Sequence, residues 1–429
     1  MLHLPPNHAD RFVLADEVHA RPPIPLETPS RASYVALLVD PDDRQREQAH
    51  LKALCDRFGV PPPAPGVTHF LTRFGSLRVK WERHGEFSGY TFIADGHSAI
   101  PFAEPAAGLL PPGWLGGLPG STLVAAHAKL VAGDEALWAS NFSNAYFDGH
   151  IVVGADIAEG AGRAYTDFRI HTDGFSRFVL LNRSLTPRQA GRMLQRLFEI
   201  EAYRMLALLA LPIARRQTPR ILEIEKALAR LTDAIALDSG GDESLLHELS
   251  RLAAEVESGI AASQFRFGAC RAYSELVATR IAELRESRLP GLQTIDEFMA
   301  RRFTPAVTTC TTTAQRLRDL SERVAQASAL LSTRVNIARE RQNQALLASM
   351  DRRARLQLRL QQTVEGLSVA AITYYGTGLV GYVGKALKSS GVPVNPDLLA
   401  GLSVPVVALA VMLAVRRARR RIARADGAD

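Results

Sequence analysis

The chain has 429 residues, 47% of them hydrophobic and 22% charged, with a formal net charge of +7. At roughly 150 residues per domain this length allows two or three units. Three scattered cysteines, Cys55, Cys270 and Cys310, with no CxxC pair, argue against a disulfide framework or a zinc knuckle, and basic residues interleaved with acids, with no stripe, argue against nucleic acid as a partner.

The opening segment MLHLPPNHADRF is too short and too polar for a secretory signal. Up to Thr186, short apolar runs recur with turn residues between them, at 34–39, 69–74, 77–81, 89–94, 122–131, 151–153, 165–170 and 175–181. They predict a mixed sheet, and the helical spacing over 42–58 after Pro41 predicts an early helix. Five prolines and five glycines within 101–120 exclude regular structure there and predict an edge loop or a covering segment.

From Thr186 onward the pattern turns helical. Thr186 and Pro187 read as an N-cap and first helical position, opening a helix that runs to Leu211, where Pro212 interrupts it. Segments 220–237 and 243–289 read as a helical hairpin turning at Gly240 and Gly241. Beyond Pro305, residues up to 360 contain neither proline nor glycine, so one helix is expected to continue into the apolar run 366–383, about 120 Å at the standard rise. Cys310, Leu317, Val324 and Leu331 lie seven apart with Leu320 and Ala327 between them. This is a heptad seam to be covered by the preceding hairpin or by other copies.

Two uncharged runs, 366–383 and 398–415, each reach about 27 Å at the helical rise, close to bilayer thickness. Arg352, Arg353, Arg355 and Arg359 precede the first, and Arg416, Arg417, Arg419, Arg420, Arg421 and Arg424 follow the second, whereas the loop between carries only Lys385 and Lys388. The positive-inside rule then expects an inner-membrane protein with two spans and both termini in the cytoplasm, its arginine tail on anionic lipid headgroups. The fold class expected is an α+β cytoplasmic domain with a mixed sheet (1–185), a helical stalk (186–363), a transmembrane hairpin (364–415) and a basic tail (416–429). Small residues along the first span, Thr373, Gly376, Thr377 and Gly381 beside Tyr375, suit close helix packing or a pore lining. A homo-oligomer is expected.

No catalytic constellation, cofactor motif or compact metal-ligand spacing is evident. Ten of the eleven histidines lie before Thr172, but a metal site built from them would have to draw on distant segments. The strongest local ligand-binding candidate is Glu17, His19 and Arg21, stopped by Pro22 and Pro23, where Arg21 offers a two-pronged donor and His19 a titratable ring. A second polar cluster, Asn141, Ser143, Asn144 and Asp148 with Thr172, Asp173, Gly174 and Arg177, reads as turn chemistry.

The segment Glu17-Val18-His19-Ala20-Arg21-Pro22-Pro23, together with Gln361 to Tyr375 (QQTVEGLSVAAITYY), resembles a bacterial family of uncharacterised membrane-anchored proteins, DUF3422. The resemblance covers nearly the whole chain and implies no activity. The architecture is also similar to that of CorA-type divalent-cation transporters. That class carries Gly-Met-Asn at the outer end of its first span, where this chain has Tyr375-Gly376-Thr377-Gly378 and no Gly-Met-Asn at any position. Function is accordingly expected to be that of a non-enzymatic, membrane-anchored oligomer whose cytoplasmic domain binds a ligand or partner, with a CorA-like channel or transporter as the alternative.

Overall fold

The computed structural model describes residues 5–12, 14–15, 22–133, 141–237, 241–391 and 393–425. The chain divides into two compact units, Met1–Ala329 and Leu330–Asp429.

The first unit is α+β. Its strands are β1 (Ser30–Leu38), β2 (His69–Phe74), β3 (Leu77–Arg83), β4 (Phe87–Asp95), β5 (Ser121–Ala132), β6 (Val153–Ile157), β7 (Gly162–Thr166), β8 (Ser176–Asn182) and β9 (Ser287–Arg288). They form one sheet in the order β2-β3-β4-β1-β5-β8-β7-β6-β9. The pairings are antiparallel except that of β5 with β8, which is parallel. The expected mixed sheet is therefore present. Three places differ from the sequence reading: β6 begins where the run 151–153 ends, β7 covers 162–166 where the run 165–170 was expected, and β9 is too short to leave a periodic signal.

Alternation along the strands decides what covers each face. Val35, Leu37, Val79, Trp81, Tyr90 and Phe92 face α1 (Arg44–Phe58), whose Leu51, Leu54 and Cys55 complete that core. The proline- and glycine-rich stretch is a covering segment: it forms two 3₁₀ turns and inserts Ala106, Ala107, Leu110, Trp114 and Leu118 into the same core. Further along that face, α2 (Phe142–Phe147) packs Phe142, Tyr146 and Phe147 on Tyr165, Val179 and Leu181.

The opposite face is covered by α3 (Pro187–Leu208). Thr186 caps it with a capping box to Gln189 and Pro187 fills its first turn, as expected. The Phe198 ring stacks on Tyr34 and meets Phe178 edge-on. Residues 22–29 cross α3 at Gly191, where any Cβ would overlap the carbonyl oxygen of Ile24.

The helix α4 (Leu211–Ala236) starts at Leu211, earlier than expected, because Pro212 sits in its first turn, where a missing N–H costs nothing. It is followed by α5 (Asp242–Leu284), α6 (Ile295–Arg302), α7 (Thr304–Ser389) and α8 (Pro396–Ala425). Within the first unit, Cys310, Leu317, Leu320, Val324 and Ala327 of α7 are buried. Their neighbours are α4 and α5: Arg316 pairs with Glu225 at 2.7 Å, Ser321 donates to Glu257 at 2.6 Å, and Leu317 lies on Gly259. The chain's own hairpin fills this part of the heptad seam.

Among the described residues of the second unit one helix, Pro396–Ala418, is long and apolar enough to cross a membrane by length and composition, with a mean hydropathy of 2.6. The uncharged run 366–383 lies inside α7 but does not reach that apolarity, because four glycines, three tyrosines and two threonines dilute its aliphatic residues. It packs against α8 through its small positions. A Cβ at Gly376 would stand 2.9 Å from Val407, one at Gly381 3.6 Å from Ala400, and one at Gly384 3.3 Å from Pro396.

Candidate metal centre

At the end of the sheet where β7 leaves and β8 begins, His150, Asp167 and His171 place one ligand atom each within 4.8 Å of one another. Three local features build the site. The helix α2 ends at Asp148, in the left-handed region with φ 51°, and Gly149 follows at φ 79°, so the chain reverses and brings His150 back over the sheet. Ser143 fixes the turn by donating to the His150 carbonyl at 2.7 Å. After β7, Asp167 Oδ1 accepts the Arg169 N–H at 3.2 Å, an Asx turn around Phe168 at φ 53°. The His171 N–H then donates to the Phe175 carbonyl at 3.0 Å.

The side chains meet on one oxygen. Asp167 Oδ2 lies 2.7 Å from His150 Nδ1 and 3.0 Å from His171 Nε2. The side chains of Asp167 and His171 are fully buried, while that of His150 is 33% exposed. The second nitrogen of His171, Nδ1, hydrogen-bonds Asp148 Oδ2 at 2.8 Å, and Arg177 holds the other Asp148 oxygen at 3.1 Å. The hydrogen bond from His171, with the Arg177 charge, keeps the Asp148 carboxyl below the usual carboxylate range.

With its Nδ1 proton on Asp148, a neutral ring presents a bare lone pair at Nε2 to a buried carboxylate oxygen, and Nε2 has no hydrogen-bond partner. Two lone pairs facing each other in a dry site repel unless a cation or a proton comes between them. Two imidazoles and one carboxylate are the ligands a zinc-type divalent ion takes. Ligand atoms around such an ion stand about 3.4 Å apart for bonds near 2.1 Å, so the 2.7 and 3.0 Å separations would open by about 0.7 and 0.4 Å to admit it. Asp148 supplies the carboxylate behind a histidine ligand that orients metal sites generally.

Sequence reasoning expected no metal site, because His150 and His171 are 21 positions apart and converge only through the β6–β7 hairpin. Asp148 and Arg177 did stand out, as turn residues. The segment with Glu17, His19 and Arg21 lies outside the described residues. In α7, Thr373 and Thr377 donate their hydroxyls back to the carbonyls of Val369 and Thr373, Gly376 and Gly381 face α8, and Tyr375 is exposed.

Fold and site together define an α+β protein that carries a buried imidazole–carboxylate centre and a membrane-length apolar helix near its C-terminus. The chain belongs to a family of proteins of unknown function, DUF3422, which matches it over residues 6–422. No curated protein and no solved structure matches it.

Proposed function

We propose that the chain is a membrane-tethered protein whose α+β unit binds a divalent transition-metal ion through His150, Asp167 and His171. The observation that carries this reading is the buried Nε2 of His171, which makes no hydrogen bond yet stands 3.0 Å from the Asp167 carboxylate. Binding, and no catalytic step, is assigned to the centre.

The tether is α8, paired with the 366–383 stretch of α7 as a two-span hairpin. Support comes from the glycine contacts between the two helices and from Leu367, Ile372, Leu379, Leu402, Val406 and Leu409, which are exposed on them. Backbone in a helix is already satisfied, so such faces are stable in lipid and costly in water. Arginines flank the pair, which sets both termini on the cytoplasmic side of an inner membrane, with the tail against anionic headgroups. Farther back along α7, Leu346, Leu347, Met350, Leu356 and Leu360 are exposed, and self-association would cover them. No observation favours the rival reading, a CorA-like cation channel or transporter.

The experiment is equilibrium dialysis of the detergent-solubilised full chain against Zn²⁺. The expected result is about one ion per chain, lost in His171→Ala and Asp167→Asn while circular dichroism stays unchanged. If His171→Ala retains the same zinc as the parent protein, the trio is a proton-bridged cluster and the reading fails.

A further inference from the structure

The layer between the sheet and α3 changes character along its length. Over β8 it is apolar, with Phe178 and Leu180 under the helix. Over β3 and β4 the positions that face α3 include Lys80, Glu82 and Thr91, between Phe87 and Ile93, while their neighbours in sequence, Val79, Trp81, Tyr90 and Phe92, fill the apolar core on the other side. These three side chains, with Gln195 and Glu199 of α3 and Arg280 of α5, enclose a cavity of about 290 Å³.

Its polar groups form one network. The Lys80 ammonium, on a side chain 6% exposed, lies 2.9 Å from Glu82 and donates to Gln195 at 3.3 Å. Gln195 donates to Glu199 at 2.7 Å, and Arg280 binds Glu199 and Glu283. Tyr34 also lines the cavity. It is 7% exposed, and its hydroxyl has no hydrogen-bond partner among the described residues. A hydroxyl that faces a cavity is open to whatever occupies it, and a cavity walled by ions is not left dry.

We propose that this cavity binds a small uncharged polyhydroxylated molecule of monosaccharide or cyclitol size. Three observations set the class. The volume lies at the lower edge of small-molecule sites. Each lining cation already meets a carboxylate, so a ligand of net charge would leave one buried charge uncompensated. A pocket for a zwitterion such as an amino acid leaves a cation and a carboxylate free for it, whereas these pairs keep only spare lone pairs and N–H groups, which is what ligand hydroxyls use. Tyr34 supplies the remaining polar contact, and the Phe87 and Phe198 rings offer apolar faces to ring C–H groups. The site shares no residue with the metal centre and does not depend on it.

The test uses the full chain in a detergent without a sugar headgroup. Glucose, galactose, mannose, ribose and myo-inositol, with glycine, alanine and glutamate as the contrasting set, are titrated by thermal shift and saturation-transfer NMR. At least one polyol should saturate below 10 mM, and Tyr34→Phe, which keeps the stack on Phe198, should weaken it about tenfold, the worth of one buried hydrogen bond. Gln195→Leu, a second variant at the cavity wall, should weaken it as well. Saturation by no polyol, saturation by the amino acids alone, or polyol binding unchanged in both variants would overturn the proposal.

Discussion

Nε2 of His171 stands 3.0 Å from Oδ2 of Asp167, out of line for a hydrogen bond, while the other nitrogen of the same ring is held by Asp148. Asp148 therefore sets the direction in which the ring faces Asp167, and in a neutral ring it favours the proton on Nδ1. Asp148→Asn, which cannot favour the Nδ1–H tautomer as a carboxylate does, should weaken zinc about 10–100-fold without abolishing it. A competition titration against a chromophoric chelator measures this. An unchanged affinity would remove Asp148 from the site.

The buried carboxylate of Glu47 is a structural counterpart. Its Oε1 accepts from Trp81 Nε1 and from the Tyr90 hydroxyl, both at 3.0 Å, and its Oε2 meets Arg44 at 3.3 Å. Glu47→Ala strands two buried donors, Trp81 Nε1 and the Tyr90 hydroxyl, and takes the carboxylate from the part-buried Arg44, which keeps Ser88, a loss of about 3–5 kcal/mol. Urea unfolding of the α+β unit, followed by Trp81 fluorescence, should show the midpoint fall accordingly, with zinc stoichiometry unaffected in protein that still folds.

Acid sensitivity has a specific source in His127. Burial lowers its pKa from 6.5 to about 4; Ser33 bonds its Nδ1 at 2.9 Å and Phe175 stacks on its ring. The unfolded chain takes up this proton near 6.5 and the folded one only near 4, so His127 adds stability above pH 6.5 that is lost as pH falls, by about 3 kcal/mol at most. Glu286, raised to about 7 by burial, works in the opposite sense, since its contribution is present below 4.5 and lost as pH rises through 7. The difference in unfolding midpoint between the parent and His127→Gln isolates the first effect. It should change by about one proton's slope between pH 4 and 6.5, and an equal slope in both proteins would contradict the assignment.

The proposed two-span reading is open to chemical labelling. The three native cysteines are buried, so a Ser390→Cys substitution in the exposed turn between α7 and α8 adds an accessible thiol. A membrane-impermeant maleimide should label it in intact cells. Labelling only after permeabilisation would mean that the 366–383 stretch does not cross.

Much of the first unit was legible because its strands alternate or run apolar between turn residues, and because Thr186-Pro187 announces a helix start chemically. Pro212 misled because proline opens a helix as readily as it ends one, and only the position of Leu211 decides which. The two residues of β9 pair with β6 through tertiary packing alone, which no local pattern carries. The heptad seam was visible, but its partner was not, since a seam looks the same whether its own chain or another covers it. The metal centre was the least legible: Asp148 and His150 come from one turn, Asp167 and His171 from another and Arg177 from the start of β8, and no local pattern in the sequence joins them.

The most direct measurement of the central claim is X-ray absorption at the zinc edge of the loaded full chain. The expected spectrum has a first shell of nitrogen and oxygen only, at about 2.0–2.1 Å, with outer-shell scattering from two imidazoles that falls to one in His150→Ala. A sulfur shell, or a purely oxygen shell without imidazole, would contradict the assignment of His150, Asp167 and His171 as the site.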